Sequence, residues 1–145
     1  MNIGIDVGGV LASLQHEGQY PSDANRVIIE LQSLGHRLFI VSQCGKQRQQ
    51  ETRKYLKDNG TPINQDSQYY IDFKVKTKAG LIDKLNLDVL IDDRPKHGFA
   101  AINLGCYWLH FTEFPLLEKW RQDIDDGLYC HVRNWQEVRQ AIDKL

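Results

Sequence analysis

Short apolar runs, each closing on a polar residue, alternate with amphipathic stretches along this chain. The clearest are "NIGIDV" (2–7), "HRLFIVSQ" (36–43) and "LDVLIDD" (87–93). They are continuous in Val, Ile and Leu, as strands covered on both faces are. Between the first two lies "SDANRVIIELQSLG" (22–35). Val27, Ile28, Leu31 and Leu34 recur there at helical spacing, Ser22 or Asp23 can cap the start, and Gly35 can stop it. Strands that alternate with helices predict a mostly parallel sheet covered on both faces. The expected fold class is therefore a three-layer α/β sandwich.

The remaining segments continue the pattern. "KQRQQETRKYLKDNG" (46–60) reads as an exposed helix with an Asn-Gly stop, and "QYYIDFK" (68–74) as a short strand. "TKAGLIDKLN" (77–86) reads as a helix that Thr77 can cap, and "RPKHGFAAINLG" (94–105) as a turn and a helix. "CYWLHF" (106–111) is strand-like, "EFPLLEKWRQDIDDG" (113–127) is read as helical up to Gly127, and 129–145 starts extended and ends in a helix capped by Asn134. Linkers and repeats are absent, so 1–145 is expected to form one domain.

Bulk properties narrow the function classes. Net charge is −1, from 18 basic and 19 acidic residues, so nucleic acid is not indicated as a partner. No apolar run approaches the roughly 18 residues that span a bilayer, so no membrane is expected. Cys44, Cys106 and Cys130 are odd in number and form no CxxC pair, which predicts free thiols and a cytoplasmic location. Cys44 is read as a small buried or loop thiol. Trp108, Trp120 and Trp135 are read as packing aromatics, and Arg94 and His97 as surface residues.

In open α/β sheets, ligands bind at the carboxyl ends of the strands. Asp6, Ser42, Asp92 and Asp93 all stand at such ends. Several acids on one rim repel each other unless a cation sits among them, and Mg²⁺ prefers such oxygen ligands. A hydroxyl and backbone N–H groups at a strand end suit phosphate oxygens. A lysine would complete the site, and Lys74, Lys76 and Lys78 are the candidates.

This constellation resembles the haloacid dehalogenase superfamily, most of whose members are Mg²⁺-dependent phosphatases. The resemblance spans residues 1 to about 110. "IGIDVGGVL" resembles the first motif, which implies Asp6 as the nucleophile that forms an aspartyl-phosphate. "LFIVSQ" resembles the second, and implies that Ser42 binds the phosphoryl group, with Gln43, Gly8 and Gly9 as further substrate-binding candidates. "KTKAGLID" resembles the third and implies Lys78 as the charge-stabilising lysine, with Lys76 its main rival. "DVLIDDRP" resembles the fourth, whose wording is similar to that of the 5′(3′)-deoxyribonucleotidase branch. It implies metal ligation by Asp6, the Gly8 carbonyl, Asp92 and Asp93, with Asp92 the better ligand of the acidic pair.

One position departs from the family pattern. The superfamily's first motif has a second Asp, the general acid/base, where this chain has Gly8. Glycine keeps the backbone carbonyl that serves the metal but removes the proton carrier. Such help is typically worth about 10²–10⁴-fold, so the expected enzyme is slow on simple monoesters or takes substrates whose leaving group needs no proton. His16 or Glu17, in the segment after the first motif, could replace the missing acid. No stretch is long enough for a separate cap domain. An open crevice then implies a phosphorylated substrate, a small molecule or a macromolecule, or a cap from another copy in a homo-oligomer. The alternative is a regulatory domain that binds metal and phosphate without turnover. Metal-free dehalogenation fits less well, because it needs no acidic pair.

Overall fold

The computed structural model describes residues 1–12 and 19–145. Among the described residues, six strands form one sheet: β1 (Asn2–Ile5), β2 (Arg37–Gln43), β3 (Gln68–Ile71), β4 (Val89–Asp92), β5 (Tyr107–Phe111) and β6 (Tyr129–Val132). Their order is β3-β2-β1-β4-β5-β6, and every neighbouring pair is parallel. Parallel neighbours cannot be joined by tight hairpins, so helices carry the crossovers. These are α1 (Ala24–Ser33), α2 (Lys46–Asp58), α3 (Ala79–Lys84) and α4 (Pro95–Asn103), followed by the short α5 (Glu118–Arg121) and the terminal α6 (Trp135–Asp143).

The apolar runs are continuous because both sheet faces are buried. Side chains on a strand alternate between faces. Ile3, Ile5, Leu38, Ile40, Val89 and Ile91 pack with Val27, Ile28 and Leu31 of α1 and with Val138 and Ile142 of α6. Phe39, Val41 and Leu90 point the other way and pack with Ile82 of α3 and Ala101 of α4. The three-layer reading from the sequence therefore holds.

Helix ends follow the local chemistry. α1 stops before Gly35 and α2 before Asn59-Gly60. The Asn134 side chain accepts the Glu137 N–H at 2.9 Å and so caps α6. Asp23 occupies the cap position of α1 but makes no side-chain cap bond. Thr77 lies one residue before the cap position of α3, and its hydroxyl accepts the Ala79 N–H at 3.3 Å.

The expected helix over 113–127 is a correction. Only Glu118–Arg121 is α-helical, and a 3₁₀ turn follows at Asp126–Leu128. Pro115 disfavours helical backbone at Phe114, and the Leu116 N–H donates to the Tyr129 hydroxyl at 3.0 Å instead of to a helical carbonyl. The apolar residues also fail to share one buried face: Leu116 is buried, while Phe114, Leu117 and Trp120 are exposed. Trp120 still packs edge-on against Phe99, but at the surface; Trp108 and Trp135 are fully buried.

The strand order places β1 between β2 and β4. Connections from β1 run outward through β2 to β3, while β4 leads the other way through β5 to β6. That reversal opens a crevice at the carboxyl ends of β1 and β4.

Candidate active site

Asp6 follows β1 directly, and its N–H donates to the Ile91 carbonyl of β4 at 2.9 Å. Asp92 is the last residue of β4, across the same reversal. Between the two carboxylates sits the ammonium of Lys78, 2.8 Å from Asp6 Oδ1 and 2.6 Å from Asp92 Oδ2. Lys78 is the residue before α3 and has no exposed surface. Of the three candidate lysines it is the one that reaches the acids; Lys74 and Lys76 are exposed. Ser42 lies in β2, buried, and lines the same crevice of about 590 Å³ with Asp6, Gly8, Gln43, Lys78 and Asp93.

The acidic pair divides its tasks. Asp92 is fully buried, and both its oxygens are engaged, Oδ2 by Lys78 and Oδ1 by the Arg94 N–H at 2.9 Å. Asp93 is half-buried, and its Oδ1 has no hydrogen-bond partner among the described residues. Its carboxyl also meets that of Asp6. Two carboxyl groups in contact need a shared proton or a cation. Oxygens of Asp6, Asp92 and Asp93 all lie within 4.8 Å of one another.

Electrostatics point the same way. Burial pushes the Asp6 carboxyl well above the usual carboxylate range, Asp92 adds to this, and Lys78 opposes it. Burial and then Asp92 raise Asp93 too. Burial alone would lower the Lys78 ammonium, but Asp6 and Asp92 outweigh it and raise its pKa. One ammonium faces three acids, so the site holds excess negative charge in a poorly solvated place. An all-oxygen donor set with an unpartnered carboxylate oxygen fits a hard divalent cation such as Mg²⁺.

The two glycines after Val7 differ sharply. Gly9 has φ +79°, and a Cβ there would run into the Asp93 carboxylate. Its N–H donates to the Ala12 carbonyl at 2.8 Å. Gly8 is unconstrained: a Cβ there would meet nothing within 4 Å. His16 and Glu17 lie outside the described residues.

Three neighbours of the site escaped the sequence reading. His97, expected at the surface, is buried. Its Nδ1 accepts the Lys78 N–H at 3.2 Å, and its Nε2 donates to Gln43 Oε1 at 3.2 Å. Gln43 in turn donates to the Val75 carbonyl at 2.6 Å, so its side chain braces the lysine loop. Arg94, by contrast, is exposed as expected and stands on the rim of the crevice. Trp108 Nε1 donates to the Asp92 carbonyl at 3.0 Å, and His110, the partner of Asp92 across the sheet, is hydrogen-bonded to the Tyr129 hydroxyl at 2.9 Å. No local pattern marks these contacts; β5 brings Trp108 and His110 beside the acids only through strand pairing.

Among solved structures, a D,D-heptose 1,7-bisphosphate phosphatase from B. bronchiseptica, crystallised with magnesium and phosphate, superposes with a TM-score of 0.67. The match covers 99% of this chain and 98% of that one at 11% identity. The fold is that of the haloacid dehalogenase superfamily. In this chain Asp6, Ser42, Lys78 and Asp93 line one crevice of that fold, with Asp92 bonded to Lys78 behind them. No protein-family model matches the chain. A protein of Oceanobacillus iheyensis named "putative nucleotidase" is 30% identical over 76 residues, 52% of this chain and 39% of that one. A Bacillus cereus protein of the same name is 29% identical over 66 residues, 46% of this chain and 34% of that one. The matches thus span well under half the length of either relative.

Proposed function

We propose that this chain is a Mg²⁺-dependent phosphohydrolase or phosphoryl-transfer enzyme that works through an aspartyl-phosphate on Asp6. The observation that carries the reading is the buried Lys78 ammonium, bonded to Asp6 and Asp92 at the switch point of a superfamily-type sheet. The names of the partial relatives and the ligands of the solved neighbour support it. Asp6 would attack phosphorus in line. Lys78 would neutralise charge on the phosphoryl oxygens, and the Ser42 hydroxyl would orient them. Mg²⁺ would be held by Asp6, Asp93 and the Gly8 carbonyl, with Asp92 bracing Lys78 behind them. Asp93 takes precedence over Asp92 because Asp93 alone of the pair keeps an unpartnered oxygen. When bound, the ion supplies charge neutralisation for the phosphoryl group and lowers the pKa of Asp6.

The substrate is a phosphorylated small molecule or macromolecule, and nucleotides are the first class to assay. One open domain that acts alone or as a homo-oligomer, in a reducing cytoplasm, is the setting we infer from the short connections and the three free cysteines. The test is phosphate release from a panel of phosphomonoesters and nucleotides with and without Mg²⁺. Release should require the ion and disappear in Asp6→Asn; activity that persists in Asp6→Asn would remove Asp6 as nucleophile. A second reading, a metal- and phosphate-binding regulatory domain without turnover, is favoured by Gly8. Asp6-dependent release excludes it.

A further inference from the structure

We infer that the site is built for phosphoryl donors whose leaving group departs without a proton, acyl phosphates above all, and that its phosphorylated form is long-lived. This rests on Asp6 as nucleophile. In the first half-reaction an Asp6 oxygen bonds to phosphorus, the bond from phosphorus to the leaving oxygen breaks, and that oxygen takes the electron pair. A sugar or other alkyl oxygen is then a strong base and must be protonated as it departs. A carboxylate leaves as a stable anion.

The residue that would carry the proton is Gly8. Its place is open, since a Cβ would meet nothing within 4 Å. Among the described residues, the other titratable groups of the crevice have other places: Asp93 is assigned to the cation and Cys44 is a buried thiol. The Lys78 ammonium is closed between Asp6 and Asp92. Both His97 nitrogens are bonded, one to the Lys78 N–H and one to Gln43. The Tyr55 hydroxyl donates to the Leu11 carbonyl at 2.8 Å. Glu51 is exposed on α2, and the arginines Arg48 and Arg94 do not give up protons.

For an acyl phosphate the step balances without any of them. One acyl phosphate is exchanged for another: the Asp6 carboxylate becomes an aspartyl-phosphate and the donor's carboxylate is released. No proton moves. In the second half-reaction water adds to phosphorus and the Asp6 carboxylate leaves. That water must lose a proton, and Gly8 cannot accept it. The second half is therefore the slow one, and phosphoenzyme accumulates.

The full chain with Mg²⁺ is incubated with radiolabelled acetyl phosphate or, separately, with a labelled alkyl monoester such as a nucleoside 5′-monophosphate. The chain is then denatured, counted and peptide-mapped. Acetyl phosphate should leave label on Asp6 that approaches one phosphoryl group per chain. The alkyl monoester should label it about 10²-fold more slowly or worse. Gly8→Asp should speed loss of label and raise monoester turnover by a factor of similar size. Asp6-dependent release from the monoester at the acetyl phosphate rate, with no label retained, overturns the inference and leaves Asp6 as nucleophile. The same holds if that release is abolished by His16→Ala or Glu17→Ala, which would identify the missing acid. Label on another residue, or neither label nor release from either donor, overturns the inference together with the reading beneath it.

Discussion

Lys78 is the residue on which the site's electrostatics turn. Its ammonium lies within 2.8 Å of two buried carboxylates, and its own side chain is wholly covered. Removal of one partner from such a group leaves uncompensated charge in a poorly solvated place. Lys78→Met should cost about 3–5 kcal/mol in urea denaturation without divalent cation, and Mg²⁺ should recover part of the loss. A change under about 1 kcal/mol would mean that water reaches these acids. The glycines make a second, paired prediction. Gly9→Ala meets both a left-handed backbone and the Asp93 carboxylate, so it should cost more than about 1 kcal/mol. Gly8→Ala meets neither, and should stay within about 0.5 kcal/mol of the parent protein in the same measurement. Equal effects at the two positions would contradict the turn geometry after β1.

At the scale of elements, local chemistry decided some ends and tertiary contacts others. α6 begins where Asn134 was read as a cap, because its side chain reaches the Glu137 N–H. Asn134→Ala should therefore lower stability by about 1 kcal/mol, seen as a lower denaturant midpoint with an unchanged slope; an unaltered midpoint would mean the cap contributes nothing. The segment 113–127 shows the opposite case. Its composition suits a helix, yet Pro115 and the bond from Leu116 to the Tyr129 hydroxyl hold most of it in irregular backbone. The Tyr129 partner comes from β6, so no window around Leu116 could have predicted it. β3 ends at Ile71, three residues short of the run read from sequence, because the exposed stretch beyond it turns toward Lys78 under the hold of Gln43.

For the whole molecule, two buried histidines set a pH dependence. Burial lowers both His97 and His110 from 6.5 to about 4. A group with a depressed folded pKa binds fewer protons folded than unfolded, so stability is full above the unfolded value and drains as pH falls. Urea midpoints should fall as pH drops from about 6.5 toward 4, and level midpoints across that window would mean the imidazoles are charged inside the fold. Both rings lie beside the site, His97 bonded to the Lys78 backbone and His110 paired with Asp92 across the sheet. The sequence by itself determined the layered sheet, because strands buried on both faces require unbroken apolar runs. It also determined which residues end those strands, and so that Asp6, Ser42 and the acidic pair stand on one rim. Only the tertiary structure decided which lysine reaches Asp6, 72 positions away, that His97 lies inside, and that Asp93 keeps the unpartnered oxygen. The physical reason is range: periodicity is a property of neighbours along the chain, whereas charge pairing and desolvation depend on distances that exist only once the strands have paired.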